Sequence, residues 1–149
     1  MGSKSDLDVM KEASEALEGF GVACEMRVIS AHRSPKLLDE YLSSARGRGI
    51  SVIIAGAGGA AHLAGVVASH TTLPVIGVPV ESKSLKGLDS LLSTIQMPPG
   101  VPVATVGINA AKNAGILAVH MLALSDASLA KKLDAYRADM AEKIRATKI

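Results

Sequence analysis

His32 and Arg33 stand side by side in the run Ser30-Ala31-His32-Arg33-Ser34-Pro35. An imidazole can give and take a proton near neutral pH, and a guanidinium beside it can hold an anion. An exposed, idle pair is the plainer alternative. Near the start, Gly2-Ser3-Lys4-Ser5-Asp6 offers backbone amides, two hydroxyls and a carboxylate at the head of an apolar-periodic segment. Such a run is either an anion-holding helix start or simply a capped one. A third run, Gly56-Ala57-Gly58-Gly59-Ala60-Ala61, is bare backbone that a ligand can approach closely. It also matches the G-x-G-x-x-A form of dinucleotide-binding turns, yet the nearest suitable acid, Glu81, lies in a Ser/Lys-rich loop, and tight helix-on-sheet packing accounts for the same glycines. Together the three runs suit a phosphorylated, sugar-bearing small molecule with one titratable group near its reacting atom. His62 reads as a packed or capping histidine, and His70 and His120 read as structural. No His/Asp/Glu grouping has metal-ligand spacing, so no metal is expected.

The segments around these runs alternate between helical and extended patterns. Leu7, Met10, Ala13, Leu17 and Phe20 form a helical stripe, with Asp6 or Ser5 as the expected cap and Gly19 and Gly21 as the stop. Val22 to Ile29 reads as a strand, and Pro35 to Arg46 as a helix opened by proline. Ile50 to Ala55, Pro74 to Val80 and Val101 to Val106 read as further strands, the first two apolar enough to be buried on both faces. Helices are expected from the Gly56 run to about His70, from about Gly87 to Ile95, and over Ala110 to Ala123. Leu129, Leu133, Tyr136, Met140 and Ile144 form one stripe within a closing helix over residues 125–146, which suits core or subunit contact. The alternation predicts an α/β fold, a single domain over residues 1–149, with a parallel sheet between helical layers. In a doubly wound sheet of flavodoxin-like order the first strand lies inside the sheet. A short apolar strand ending at Met1-Gly2 is therefore expected and is absent from the chain.

Composition narrows the function classes. The chain has 149 residues, 48% of them hydrophobic, with two Tyr, one Phe and no Trp. It lacks the aromatic platforms of a single-strand nucleic-acid binder, and 16 Lys+Arg against 14 Asp+Glu is close to balance. The 14 Gly and an Ala surplus suit closely approaching helices. Cys24, the single cysteine, permits neither an internal disulfide nor a cysteine zinc site and reads as a small strand residue. With no long apolar span and a polar start, neither a membrane nor export is indicated, and a cytoplasmic setting is expected.

The segments Met1 to Asp6, Val28 to Pro35, Ala55 to Leu63, and Gly87 to Ser93 with Gln96-Met97-Pro98, taken in order, resemble the class I PurE family of N5-carboxyaminoimidazole ribonucleotide mutases. The resemblance spans nearly the whole chain. It implies a three-layer α/β/α sandwich, assembled as a homo-octamer with active sites at subunit contacts. It also implies a cofactor-free step of purine biosynthesis, in which the carboxylate on N5 of the ribonucleotide moves to carbon 4 of the imidazole. The site it implies has Ser3, Ser5 and Arg33 on the 5'-phosphate, Asp6 on the ribose hydroxyls and Ser30 nearby. His32 is the implied general acid/base. The backbone of Gly56 to Ala60, including Ala57, Gly58 and Ala60, joins His62 and Leu63 in a wall that retains CO2. An ATP-dependent synthase of the substrate is the implied functional partner. The chain departs from the family pattern at Ser34, where Thr is usual, at Ala64, where Pro is usual, and at Glu81 and Lys86, where Gln and Asn are usual. The last two fall in a polar loop near the site and bear on affinity more than on chemistry at His32. The loop Gly107 to Asn113 is similar to a variant within the family. Three other readings compete: a carboxylase using free CO2, a piece of a fusion with the preceding ATP-dependent enzyme, and a non-catalytic nucleotide- or NAD-binding module.

Overall fold

A computed structural model describes residues 1–147. Among them, β1 (Ile53–Gly58), β2 (Val75–Val80) and β3 (Ala104–Thr105) form one parallel sheet in that order. Ile53 lies opposite Val75 and Gly58 opposite Val80, while Ile76 lies opposite Ala104. All six β2 residues are buried, as an apolar run without alternation requires. Ile76 and Val78 turn toward α1 (Leu7–Gly19), α5 (Ala111–Ala123) and α6 (Ala127–Ala146), where they meet Met10, Leu17, Val119 and Leu129. Val75 turns the other way, toward Leu38 of α2 (Pro35–Ala45) and Val67 of α3 (Leu63–His70). The result is the expected sandwich, with helices on both faces of a parallel sheet.

Small residues set the distance between its helices. A Cβ added to Gly115 of α5 would lie 2.6 Å from the Ala13 carbonyl oxygen and 2.9 Å from the Ala16 Cβ of α1. Interiors are packed densely enough that such a clash forces the two helices apart. The Ala surplus is spent here, on Ala111, Ala114 and Ala118 against Ala13.

Three expected strands differ from those observed. The strand expected at Ile50 to Ala55 begins at Ile53 and runs on through Gly58, and α3 starts only at Leu63. The ladder continues because β2 extends to Val80, and Gly56 stays in it because a Cβ there would overlap the Met10 sulfur. The strand expected at Val101 to Val106 shrinks to Ala104–Thr105, since Pro102 has no N–H to give to a ladder. Val22 to Ile29 is not a strand. Its backbone flanks a cavity of about 580 Å³ whose opposite side is lined by Ile53, Ile54 and Ala55. Met1 and Gly2 reach between the two. The Met1 ammonium donates to the Arg27 carbonyl (2.9 Å), Ile29 N–H donates to the Met1 carbonyl (2.9 Å), and Gly2 N–H donates to the Gly56 carbonyl (3.0 Å). Burial holds the Met1 amine below its ordinary pKa.

Side chains anchor this segment in place of a ladder. The Glu25 carboxylate accepts from the Tyr41 hydroxyl (2.8 Å) and from Arg48, whose guanidinium lies 4.7 Å from the Tyr41 ring centroid. Hydrogen bonds from Arg48 and Tyr41 hold the Glu25 carboxyl below the usual carboxylate range. At the other end of the chain, Asp126 caps α6 by accepting from Ser128 N–H (2.8 Å) and Leu129 N–H (3.2 Å). Only half of the α6 stripe docks. Leu129 and Leu133 are buried and Tyr136 meets Phe20 edge-on, but Ile144 is 77% exposed.

Candidate active site

In an open α/β sheet ligands bind beyond the carboxyl ends of the strands. There the chain forms a cavity of about 560 Å³, most of its wall supplied by three segments. The first is Gly2 to Asp6. Ser3 caps a short 3-10 turn, Lys4–Asp6, that leads into α1. Its hydroxyl accepts from Ser5 N–H (3.3 Å), and the Asp6 carboxylate returns to accept from Ser3 N–H (2.9 Å). This reciprocal box moves the cap from Asp6 or Ser5, where it was expected, to Ser3, because the chain begins to coil one turn earlier. Asp6 is buried at 6% exposure, and its other oxygen has only a 3.4 Å bond from the Ser5 hydroxyl.

Ser30 to Arg33 form the second wall. The Ser34 amide and hydroxyl both donate to the Ser30 carbonyl (2.9 and 3.0 Å), tightening the turn before Pro35 opens α2. Ser30 Oγ accepts from the Arg33 amide and from Arg33 Nε, both at 3.2 Å. Arg33 Nη2 then donates across to the Gly2 carbonyl (3.1 Å), joining the two loops. A guanidinium fixed this way is aimed before any anion arrives, so less rotamer freedom is lost on binding.

The third wall is the end of β1 with Gly59 to Ala61. Gly59 adopts φ +69°, a left-handed conformation in which glycine carries no side-chain penalty. Hydroxyls of α4 (Leu88–Ile95) hold this turn from behind: Gly59 N–H donates to Ser90 Oγ (2.8 Å) and Ala61 N–H to Ser93 Oγ (3.0 Å). Ser90 is fully buried and donates in turn to the Val80 carbonyl (2.6 Å). Thr94, also buried, donates to the Ala61 carbonyl (3.3 Å). Helix α4 is thus inverted, with its hydroxyls inward and Leu88, Leu92 and Ile95 half exposed. Nothing in the apolar pattern of this segment points to such support, although hydroxyls at positions 90, 93 and 94 share one helical face. The same geometry disfavours a dinucleotide turn. Gly56 to Gly58 lie within a strand, and the Gly59 and Ala61 amides that would cradle a pyrophosphate already have partners.

The cavity gathers Ser3, Ser5, Asp6, Ser30, His32 and Arg33, and it gathers Ala57, Gly58, Ala60 and Leu63. His62 stands apart. It does not line the cavity, but its Nδ1 lies 3.0 Å from His32 Nε2, the rings edge to face. Glu81 and Ser82, which are not among the site residues expected from the sequence, also line it; their place directly after β2, at a strand's carboxyl end, is the signal that points to them. Asn109 clamps Glu81 by accepting from its amide (2.8 Å) and donating to its carboxylate (3.2 Å). Chemically, the arrangement offers an oriented cation with hydroxyls for an anion, a buried carboxylate for hydroxyl donors, and one imidazole able to exchange protons. Among the described residues, no three His, Cys, Asp or Glu side chains group to hold a metal, and no helix is long and apolar enough to cross a membrane.

The chain is 63% identical over 140 residues to the N5-carboxyaminoimidazole ribonucleotide mutase of Pyrococcus abyssi, covering 94% of this chain and 80% of that protein. It is 59% identical over 144 residues to the chloroplastic phosphoribosylaminoimidazole carboxylase of Vigna aconitifolia, covering 97% of this chain but 26% of that much longer one. In structure it resembles PurE of Treponema denticola, with a TM-score of 0.86 at 28% identity over 97% of this chain and 90% of the other. With the family model for AIR carboxylase (AIRC) matching residues 1–143, the chain belongs to that family.

Proposed function

We propose that the protein is an N5-carboxyaminoimidazole ribonucleotide mutase of purine biosynthesis, moving the carboxylate from N5 to carbon 4 of the imidazole. The observation that carries the proposal is the shared cavity, in which His32 stands beside an Arg33 already oriented by Ser30 and Gly2. Arg33 with the Ser3 and Ser5 hydroxyls takes the 5'-phosphate, and Asp6 accepts from the ribose hydroxyls. His32, protonated, gives its proton to N5 as the N5–carboxylate bond breaks, releasing CO2 and the free amine. Held against the backbone of Ala57 to Ala60 and the Leu63 side chain, CO2 accepts the electron pair of carbon 4. His32, now neutral, removes the carbon 4 proton and regains its starting state. No proton is gained or lost overall, so one imidazole serves both half-steps and the reaction consumes no cofactor. Confinement keeps the CO2 at high effective concentration beside carbon 4.

The proposal extends to the surroundings of the site. The substrate has to come from an ATP-dependent carboxylation of the aminoimidazole ribonucleotide, so a synthase of that kind is the functional partner. The half-exposed leucine face of α4 and the bare end of the α6 stripe suit a homo-oligomer, and we assign an octamer. Residues 1–149 act as one catalytic domain, with residues 125–146 in subunit packing, in a cytoplasmic setting.

A second reading is favoured by the family's description and by the name of the chloroplastic relative: carboxylation of the aminoimidazole ribonucleotide by free CO2. A coupled assay that follows the carbon 4 carboxylate separates them. Conversion of N5-carboxyaminoimidazole ribonucleotide well above that of 5-aminoimidazole ribonucleotide plus bicarbonate is the expected result. The reverse order would establish the carboxylase.

A further inference from the structure

We infer that His62 is a positioning residue that fixes which nitrogen of His32 carries the travelling proton. This rests on the reading of His32 as the acid/base and deepens it. His32 Nε2 and His62 Nδ1 are 3.0 Å apart, with ring centroids at 5.0 Å and planes at 84°. A contact between two imidazole nitrogens holds one hydrogen, so one ring donates and the other accepts. Two features of His62 decide which.

His62 is the residue before α3, its carbonyl accepting from Val66 N–H (2.9 Å) and its amide donating to the Ala60 carbonyl (2.9 Å). Its backbone is therefore set by the turn that Ser90, Ser93 and Thr94 hold from behind. His62 is the N-cap residue of that helix, at its positive end, where a lone pair that accepts a hydrogen bond is favoured. His62 Nδ1 is thus the acceptor, and His32 Nε2 keeps its hydrogen through the whole cycle. Among the described residues His32 Nδ1 has no hydrogen-bond partner. It is the nitrogen left to give a proton to N5 and to take one from carbon 4. The cation that forms on His32 is then stabilised by a neutral acceptor, without a second charge in the site.

Long-range nitrogen–proton correlation spectra of the wild-type protein, at a pH where His32 is neutral, read the tautomer directly. The Nε2–H form with bare Nδ1 is expected, and the Nδ1–H form overturns the proposal. Kinetics supply the second readout. His62→Ala is expected to lower kcat about tenfold to hundredfold, a part of the 10²–10⁴ that a placed acid/base supplies, with KM changed less than about twofold because His62 does not line the cavity. His62→Asn, whose Oδ1 can accept where Nδ1 does, is expected to recover most of that loss. Unimpaired kcat in His62→Ala, or an equal loss in both variants, overturns the proposal. If His62→Ala does not fold, the wild-type tautomer and His62→Asn decide. His32→Asn measured in parallel separates the two levels: full turnover there defeats the acid/base reading itself, whereas an inactive His32→Asn beside a fully active His62→Ala defeats only the role of His62.

Discussion

His32→Asn loses turnover of N5-carboxyaminoimidazole ribonucleotide by about 10²- to 10⁴-fold, the range that a placed general acid/base contributes, while the ribonucleotide still binds. Binding survives because the anion-holding groups are tied to one another and not to the imidazole: Arg33 is held by Ser30 and Gly2, and Ser3 by the box it forms with Asp6. Asparagine keeps polarity at position 32 but offers no group that ionises between pH 5 and 8. Both half-steps fail together, since the proton given to N5 and the proton taken from carbon 4 pass through the same ring. Steady-state rates with ribonucleotide binding measured by calorimetry check this. Near-normal rates would remove His32 from the acid/base role, and a loss of binding equal to the loss of rate would make it a structural or substrate-holding residue instead.

Gly115→Val destabilises the fold by about 3 kcal/mol or more, at or beyond the upper end of ordinary overpacking. The added Cβ has no room, because its nearest neighbours include the Ala13 backbone carbonyl at 2.6 Å, which cannot rotate away. Helix α1 must move, and α1 is continuous with the Lys4–Asp6 turn that carries one wall of the cavity. Ribonucleotide affinity therefore falls along with stability. Gly19→Ala at the end of α1 is the matched control: nothing lies within 4 Å of its added Cβ, and the substitution is expected to be neutral or stabilising by about 0.5–1 kcal/mol. Chemical denaturation midpoints report both. Equal midpoints for Gly115→Val and the parent protein would mean that α1 and α5 do not pack as closely as described.

Patterns that depend on neighbours in sequence were legible, and those that depend on neighbours in space were not. The α1 stripe of Met10, Ala13 and Leu17 is a local periodicity, and the helix is there. Val22 to Ile29 carries strand propensity, yet among the described residues it is tied to Met1 by single hydrogen bonds and not by a ladder. The Gly56 run looks like a loop by composition and is a strand by register, since β2 offers ladder partners as far as Val80. In α4 the usual rule points the wrong way: leucines face outward because Ser90, Ser93 and Thr94 are needed inward to satisfy the Gly59–Ala61 turn. Ser30 with Arg33 and Ser3 with Asp6 lie within short runs, so sequence spacing could suggest them. His32 with His62 joins residues thirty positions apart, which only the fold could bring together.

The central claim is that one cavity breaks the N5 bond and makes the carbon 4 bond without releasing the carbon between them. Turnover of substrate labelled in the N5 carboxylate carbon, run in excess unlabelled bicarbonate, tests it most directly. A cavity that retains CO2 predicts a product whose carbon 4 carboxylate keeps the label. Product carrying carbon from bicarbonate in its place would contradict it.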